Sequence, residues 1–150
     1  MKYFISLFAA LFGIIIPLLA QVEKPYFQIF DIPDDAKTIK IETNDSFKIR
    51  KWSGTQVMLD MSIRLDGATM DLLAVVIFDN RYAYESSKQG SNVSIKAKTL
   101  RKDLIKLKHS GNLCVEKITT TIYIPNTFEL NGNKEFVRKE DVIIASDKRK

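Results

Sequence analysis

The chain contains 150 residues and carries a formal net charge of +5, with 23 basic and 18 acidic residues interleaved along it. This length suits one domain with a single hydrophobic core. The single cysteine excludes an intrachain disulfide, and the single histidine excludes a histidine metal cluster. No nucleophile with a partner base and no phosphate loop is recognisable, so the sequence predicts no enzyme and no cofactor.

The first twenty residues have the pattern of a secretory signal. A single positive charge at Lys2 precedes an apolar run over residues 3–20, and the polar Gln21 follows it. These features are typical of a signal peptide, and cleavage is expected between Ala20 and Gln21. The run is also just long enough to cross a bilayer as a retained anchor. The sequence therefore predicts an exported protein of the periplasm or cell surface, with membrane contact only through this leader if it is uncleaved.

After the leader, apolar and polar residues alternate with the period of two that is typical of β-strands. The clearest strand covers residues 117–125, where Ile118, Ile122 and Ile124 share one parity and Thr120 is its only polar member. A proline at position 125 removes a backbone donor and ends this strand. The inward face of this strand is therefore predicted to be core.

A second long strand is predicted over residues 57–65, with apolar residues at every odd position. Residues 39–42 and 47–50 alternate in the same way on either side of a turn at 44–46, so we expect them to form a hairpin. Further short strands are predicted near residues 26–30, 82–84, 93–97, 105–108, 128–130 and 142–144.

One segment departs from this alternation. From Met70 onward the apolar residues recur at i, i+3, i+4 and i+7, which indicates a short buried helix near 68–78 with Thr69 as its N-cap. Residues 75–78 alone would serve equally as a strand. The predicted fold is mainly β, a single domain over 21–150 with a loose charged tail. Its strands are either stacked as a β-solenoid or antiparallel in a compact sandwich, with one short helix.

Six basic residues gather within the thirteen positions from 96 to 108, and Asp103 is the only acid among them. The favoured interpretation is a solvated sheet face, and the sharper alternative is a footprint for an anionic envelope polymer or another envelope protein. No aromatic residue interleaves with them, so nucleic acid is not expected as a partner. The candidate binding residues are Lys96, Lys98, Arg101, Lys102, Lys106 and Lys108.

An alternative function is a hydrolase acting on a cell-wall polymer, because such enzymes commonly use two carboxylates at a fixed separation. Asp60 with Asp66, and Asp71 with Asp79, are the available pairs. Each of these acids lies where a strand face, a turn or a helix end favours an acid, so none is assigned as catalytic. Cys114 lies between two apolar residues and is predicted to be a buried, inert thiol.

The order of these elements resembles an adhesin family of secreted bacterial envelope proteins, the domain of unknown function 4097, which is related to head-domain-like adhesins. The segments that carry the resemblance are TIKIET, FKIRKW, WSGTQV and TTTIYIPNTFEL, and they span about Thr38 to Leu130. The resemblance implies a secreted, nonenzymatic, mostly β protein, often a β-solenoid, and it brings no catalytic residues. The solenoids of this family are punctuated by many glycines, and this chain has six, which leaves the compact sandwich open.

Overall fold

The computed structural model describes residues 21–107 and 111–139. The predicted signal peptide, Lys108, the strand expected over 142–144 and the charged tail lie outside these residues. No helix in the described ranges is long and apolar enough to cross a membrane. The elements are β1 (Gln21–Phe30), β2 (Thr38–Glu42), β3 (Lys48–Trp52), β4 (Val57–Asp66), α1 (Met70–Phe78), β5 (Tyr84–Gln89), β6 (Asn92–Ala97), β7 (Val115–Pro125), β8 (Phe128–Leu130) and β9 (Glu135–Arg138).

The strands form two mixed sheets. The four-stranded sheet has the order β1-β4-β7-β3, in which only β3 and β7 are parallel. The five-stranded sheet has the order β5-β6-β2-β9-β8, in which only β2 and β6 are parallel. Both sheets contribute to one core cluster. The mainly β fold with one short helix is thus confirmed, and the pairing is that of a sandwich rather than of rungs stacked in a solenoid.

The core follows the predicted alternation most closely in the two central strands of the four-stranded sheet. Every odd residue of β4 is buried and every even residue is half-buried. On β7, Ile122 and Ile124 are fully buried and Thr120 lies among them, 2% exposed. Both strands have a neighbouring strand on each side. Their inward side chains are therefore covered by side chains of the same sheet and by those of the opposite sheet. The five-stranded sheet supplies Ile39, Ile41, Val93, Ile95 and Phe136 to the same core.

The hairpin predicted between residues 39–42 and 47–50 is wrong. β2 pairs with β6 and β9, whereas β3 pairs with β7 in the other sheet. The turn between them therefore carries the chain from one sheet to the other. Alternation reports which side chains face the core, but a strand's partner depends on the packing of distant segments.

The helix α1 confirms the predicted helix and its N-cap. Thr69 has an extended backbone, and its hydroxyl oxygen accepts a hydrogen bond from the Leu72 N–H at 3.3 Å. Only Leu73 is fully buried, and residues 72, 76 and 77 pack against the core. The expectation of a buried helix is wrong for the opposite face, because Phe78 at the helix end is 85% exposed.

The Gly in the WSGTQV segment has a steric reason. The indole N–H of Trp52 donates a hydrogen bond to the Gln56 carbonyl at 2.9 Å, which lays the ring over Gly54. A Cβ at position 54 would come within 2.3 Å of that ring. Any larger residue at position 54 would therefore displace the indole, so the close approach of the ring, and not a positive φ, selects glycine here.

The strand predicted over residues 105–108 is not formed in its described part. Lys106 makes one isolated antiparallel bridge with Leu113, and the Cys114 N–H donates to the Ile105 carbonyl at 2.9 Å. Cys114 itself is buried, as predicted. Burial raises the pKa of the Cys114 thiol, which keeps the thiol protonated near neutral pH.

Candidate binding face on the five-stranded sheet

The outward face of the five-stranded sheet forms a shallow depression of about 640 Å³, here called the polar trough. Its floor is the parallel pair β2 and β6, and its sides are β5 and β9. Because successive side chains of a strand alternate between faces, every second residue of each strand is presented to solvent here. The residues that line the trough are Thr38, Lys40, Glu42, Ser87, Lys88, Gln89, Asn92, Val93, Ser94, Lys96 and Glu135.

Hydrogen bonds across the floor of the polar trough join β2 to β6. The Ser94 hydroxyl donates to the Glu42 carboxylate at 3.0 Å, and the Thr38 hydroxyl donates to the Asn92 side-chain oxygen at 2.6 Å. The Ser94 hydrogen bond, together with the Lys40 ammonium at 3.4 Å, holds the pKa of Glu42 below its usual value. Glu42 is therefore a fixed negative charge within a row of neutral hydrogen-bonding groups.

The lysines of the polar trough differ in how their charges are balanced. Lys40 shares the carboxylate of Glu42, and Lys88 bonds both oxygens of Asp35 at 2.7 and 2.8 Å. Lys96 is exposed and forms no ion pair with any residue that the structure describes. Strand register places Lys96 between Glu42 of β2 and Glu85 of β5, and its charge contributes to the lowered pKa of Glu42.

Two of the six predicted binding residues belong to this face. Lys96 points outward from β6, and Lys98 follows the strand at the same parity and is also exposed. The backbone N–H of Lys98 donates to the Ala83 carbonyl at 2.9 Å, which holds the chain in place just beyond the strand end. The pair therefore presents two positive charges on the same side of the chain, with Lys96 in the lining of the trough and Lys98 just beyond it.

The other predicted residues are placed differently. Lys102 is turned toward the protein, with its ammonium 2.5 Å from the Asp45 carboxylate and only 13% of its side chain exposed. Arg101 and Lys106 are exposed on the irregular segment that follows β6. Lys108 lies outside the described residues. The structure thus brings Lys96 and Lys98 together on the sheet face, and it withdraws Lys102 into an ion pair.

The neutral residues of the polar trough were not predicted from the sequence. Thr38, Ser87 and Asn92 come from three different strands, and each is an ordinary outward residue of its own strand. In each strand, the alternation of polar and apolar residues indicates that these side chains face solvent. These residues form one site only because the sheet order places β5, β6 and β2 side by side.

A second polar cluster lies where β7 begins and is here called the Arg81 cluster. The Arg81 guanidinium is 2.8 Å from the Glu116 carboxylate and donates to the Asp103 carbonyl at 2.6 Å. Both charged side chains are less than one-fifth exposed. Burial, followed by the neighbouring Glu116, raises the pKa of Tyr82 well above its usual value. The cluster ties the segment after α1 to β7 and to the segment after β6.

The carboxylate pairs considered for hydrolysis are widely separated. Asp60 and Asp66 face outward from β4 six positions apart, which is about 20 Å along a strand. Asp71 and Asp79 lie at opposite ends of α1, about 12 Å apart along its axis. Paired glycosidase carboxylates lie about 5 to 9.5 Å apart. Neither pair therefore has the spacing of a glycosidase, and no group of described residues is arranged to hold a metal ion.

We expect the domain to lose stability in acid as the carboxylates of Asp35 and Glu42 are protonated. The hydrogen bond from Lys88 lowers the pKa of Asp35 below 3.8, and that from Ser94 lowers the pKa of Glu42 below 4.5. Because the folded-state pKa values lie below the unfolded ones, the unfolded chain binds more protons. The contribution of these two carboxylates to stability is therefore fully present above about pH 4.5. It is lost as the pH falls through their folded-state pKa values.

Urea unfolding followed by circular dichroism across this pH range measures the effect. Lys88→Gln serves as the control, because it removes the main partner of Asp35 and should flatten the acid slope. A midpoint that stays constant or rises as the pH falls from 4.5 would contradict the expectation.

Comparisons with known proteins were made for the whole chain. No family model, no curated protein and no solved structure matches it. The resemblance to the adhesin family stays a prediction from the sequence.

Proposed function

We propose that this protein is a nonenzymatic binding module of the bacterial cell envelope, which holds an extended anionic polymer in the polar trough. The observation that carries the proposal is the trough itself, a solvent-facing row of hydrogen-bonding side chains with the exposed Lys96 among them. Export to the envelope rests on the predicted leader over residues 1–20.

The lining of the polar trough suits a hydroxylated polymer that carries phosphate or carboxylate groups. Hydroxyl and amide side chains such as Thr38, Ser87 and Asn92 donate and accept hydrogen bonds, and Lys96 attracts the anionic group. Among the residues that the structure describes, no aromatic side chain lines the trough, so binding depends on hydrogen bonds and charge rather than on stacking. Exposed charge pairs are screened by salt, so each binding site is weak and salt-sensitive.

The electrostatics of the polar trough favour binding over catalysis. A general acid needs a raised pKa near the working pH, whereas the pKa of Glu42 is lowered by Ser94 and Lys40. A carboxylate that stays ionised can orient a hydroxyl group, but it has no proton to deliver. The geometry supports a fixed recognition surface.

Replacing Lys96 and Lys98 together by glutamine is expected to weaken retention on immobilised lipopolysaccharide or teichoic acid by roughly threefold to tenfold at low salt. Both side chains are exposed, and neither ammonium group forms an ion pair with a residue that the structure describes. Retention measured over a salt gradient should show a smaller salt dependence for the variant than for the original chain.

The matched control is Lys24→Gln with Lys48→Gln, because both lysines are exposed on the four-stranded sheet and the change in net charge is the same. This control should bind almost as the original chain does. Equal losses for the two double variants would mean that net charge rather than the trough determines binding, and would contradict the proposal.

A further inference from the structure

Six large apolar side chains are exposed around one end of the sandwich, here called the apolar end. Phe78, at the end of α1, is 85% exposed, and Leu104 is 72% exposed. The other four are each at least half exposed. The apolar end consists of Met70, Val75, Phe78, Leu104, Leu113 and Val115.

Strand register brings the first part of this surface together. Gln21 pairs with Asp66, and Asp66 pairs with Val115, so the start of β1, the end of β4 and the start of β7 lie side by side. The helix α1 begins only four residues after Asp66 and contacts β1. Met70, the first residue of α1, is therefore near the point where the chain enters the domain.

The Arg81 cluster brings the remaining residues of the apolar end to the same region. Phe78 precedes Arg81 by three residues, Leu104 follows Asp103 directly, and Val115 precedes Glu116 directly. Because the Arg81 guanidinium bonds both the Glu116 carboxylate and the Asp103 carbonyl, the apolar neighbours of these residues lie in one region. Leu113 joins them through its position two residues before β7 begins.

We propose that the apolar end docks on the surface of a lipid bilayer, with the exposed face of α1 lying in the interface. An exposed apolar surface of this kind marks a site of interaction. The exposed face of α1 carries Met70, Val75 and Phe78 with one acid, Asp71, among them, and apolar side chains of this kind can enter the boundary between headgroups and acyl chains. A bilayer is proposed as the partner because of the place where the chain enters the domain. Gln21, at the apolar end, directly follows the apolar run of residues 3–20, which is long enough to hold this end of the domain at a bilayer where the leader is retained.

The charges around the apolar end are mixed. The exposed cations Arg101, Lys106 and Lys117 are offset by acids at positions 71, 79 and 103. Docking therefore depends on the burial of apolar side chains and is only weakly sensitive to salt. This differs from the polar trough, whose binding is proposed to be salt-sensitive, so the two proposals are tested separately.

The test places an environment-sensitive nitrobenzoxadiazole label on the chain as it is recovered from cells, with its N-terminus determined by mass spectrometry. Phe78→Cys carries the label at the apolar end, and Phe27→Cys carries it at an exposed phenylalanine on the outer face of β1. The unsubstituted chain controls for labelling of the buried Cys114. With vesicles of phosphatidylcholine and phosphatidylglycerol in equal parts, the label at 78 should shift to the blue and be quenched by lipid-bound quenchers.

The label at 27 should remain in water, and the shift at 78 should survive high salt and the Lys96→Gln, Lys98→Gln substitutions. Where the recovered chain lacks residues 1–20, Val75→Glu with Phe78→Glu should lower vesicle binding about tenfold or more, and Phe27→Glu with Ile29→Glu should change it little. Equal emission at the two positions would overturn the proposal. A concentration-dependent blue shift at 78 without lipid would assign the apolar end to a second copy of the chain instead.

Discussion

Ile122→Ala is expected to lower the free energy of unfolding by about 2 to 5 kcal/mol. Ile122 is fully buried on β7, where Leu59 of β4 is its partner on one side and Ile49 of β3 on the other. Because β7 is held between two strands, the backbone cannot move in to fill the space that the lost methyl groups leave. The cavity therefore adds to the lost transfer free energy.

Chemical denaturation followed by the fluorescence of Trp52 measures this change. Thr121→Ala is the matched control, because the same strand presents Thr121 on its outward face and its loss should cost no more than about 1 kcal/mol. A cost near zero for Ile122→Ala, or a larger cost for Thr121→Ala, would mean that the faces of β7 are reversed.

Gln28→Ala is expected to cost about 1 to 3 kcal/mol and to loosen the contact between the sheets along one side. The Gln28 side-chain oxygen accepts a hydrogen bond from the Tyr84 N–H at 2.8 Å, and its amide donates to the Tyr84 carbonyl at 3.3 Å. The amide thus joins β1 at the edge of one sheet to β5 at the edge of the other. Truncation leaves both backbone groups of a buried residue without this partner.

Hydrogen exchange measured by nuclear magnetic resonance gives a readout specific to this contact. The amide proton of Tyr84 should exchange faster in Gln28→Ala, while protection in β4 and β7 changes only as much as global stability does. Gln21→Ala is the control, since it removes an exposed glutamine from the same strand. Unchanged exchange at Tyr84 would show that the amide does not hold the two edges together.

Only part of the binding face could be predicted from the sequence. Lys96 and Lys98 could be placed outward because Ile95 and Ala97 beside them are apolar, and the structure has them there. Lys102 belongs to the same run of basic residues, but it pairs with Asp45, 57 positions earlier in the chain. A run of charge in a sequence does not contain that information, because the ion pair exists only after the sheets have packed.

The sequence by itself determined what is local in this protein. Alternation predicted the buried faces of β4 and β7, and the helix period with Thr69 predicted α1 and its N-cap. Both follow from the direction in which a backbone of given dihedral angles points its side chains. The tertiary structure decided which strands are neighbours: it separated β2 from β3 and assembled the polar trough from β2, β5, β6 and β9. Those choices depend on contacts between segments far apart in the chain, where the packing of the whole core selects one pairing among many with the same local pattern.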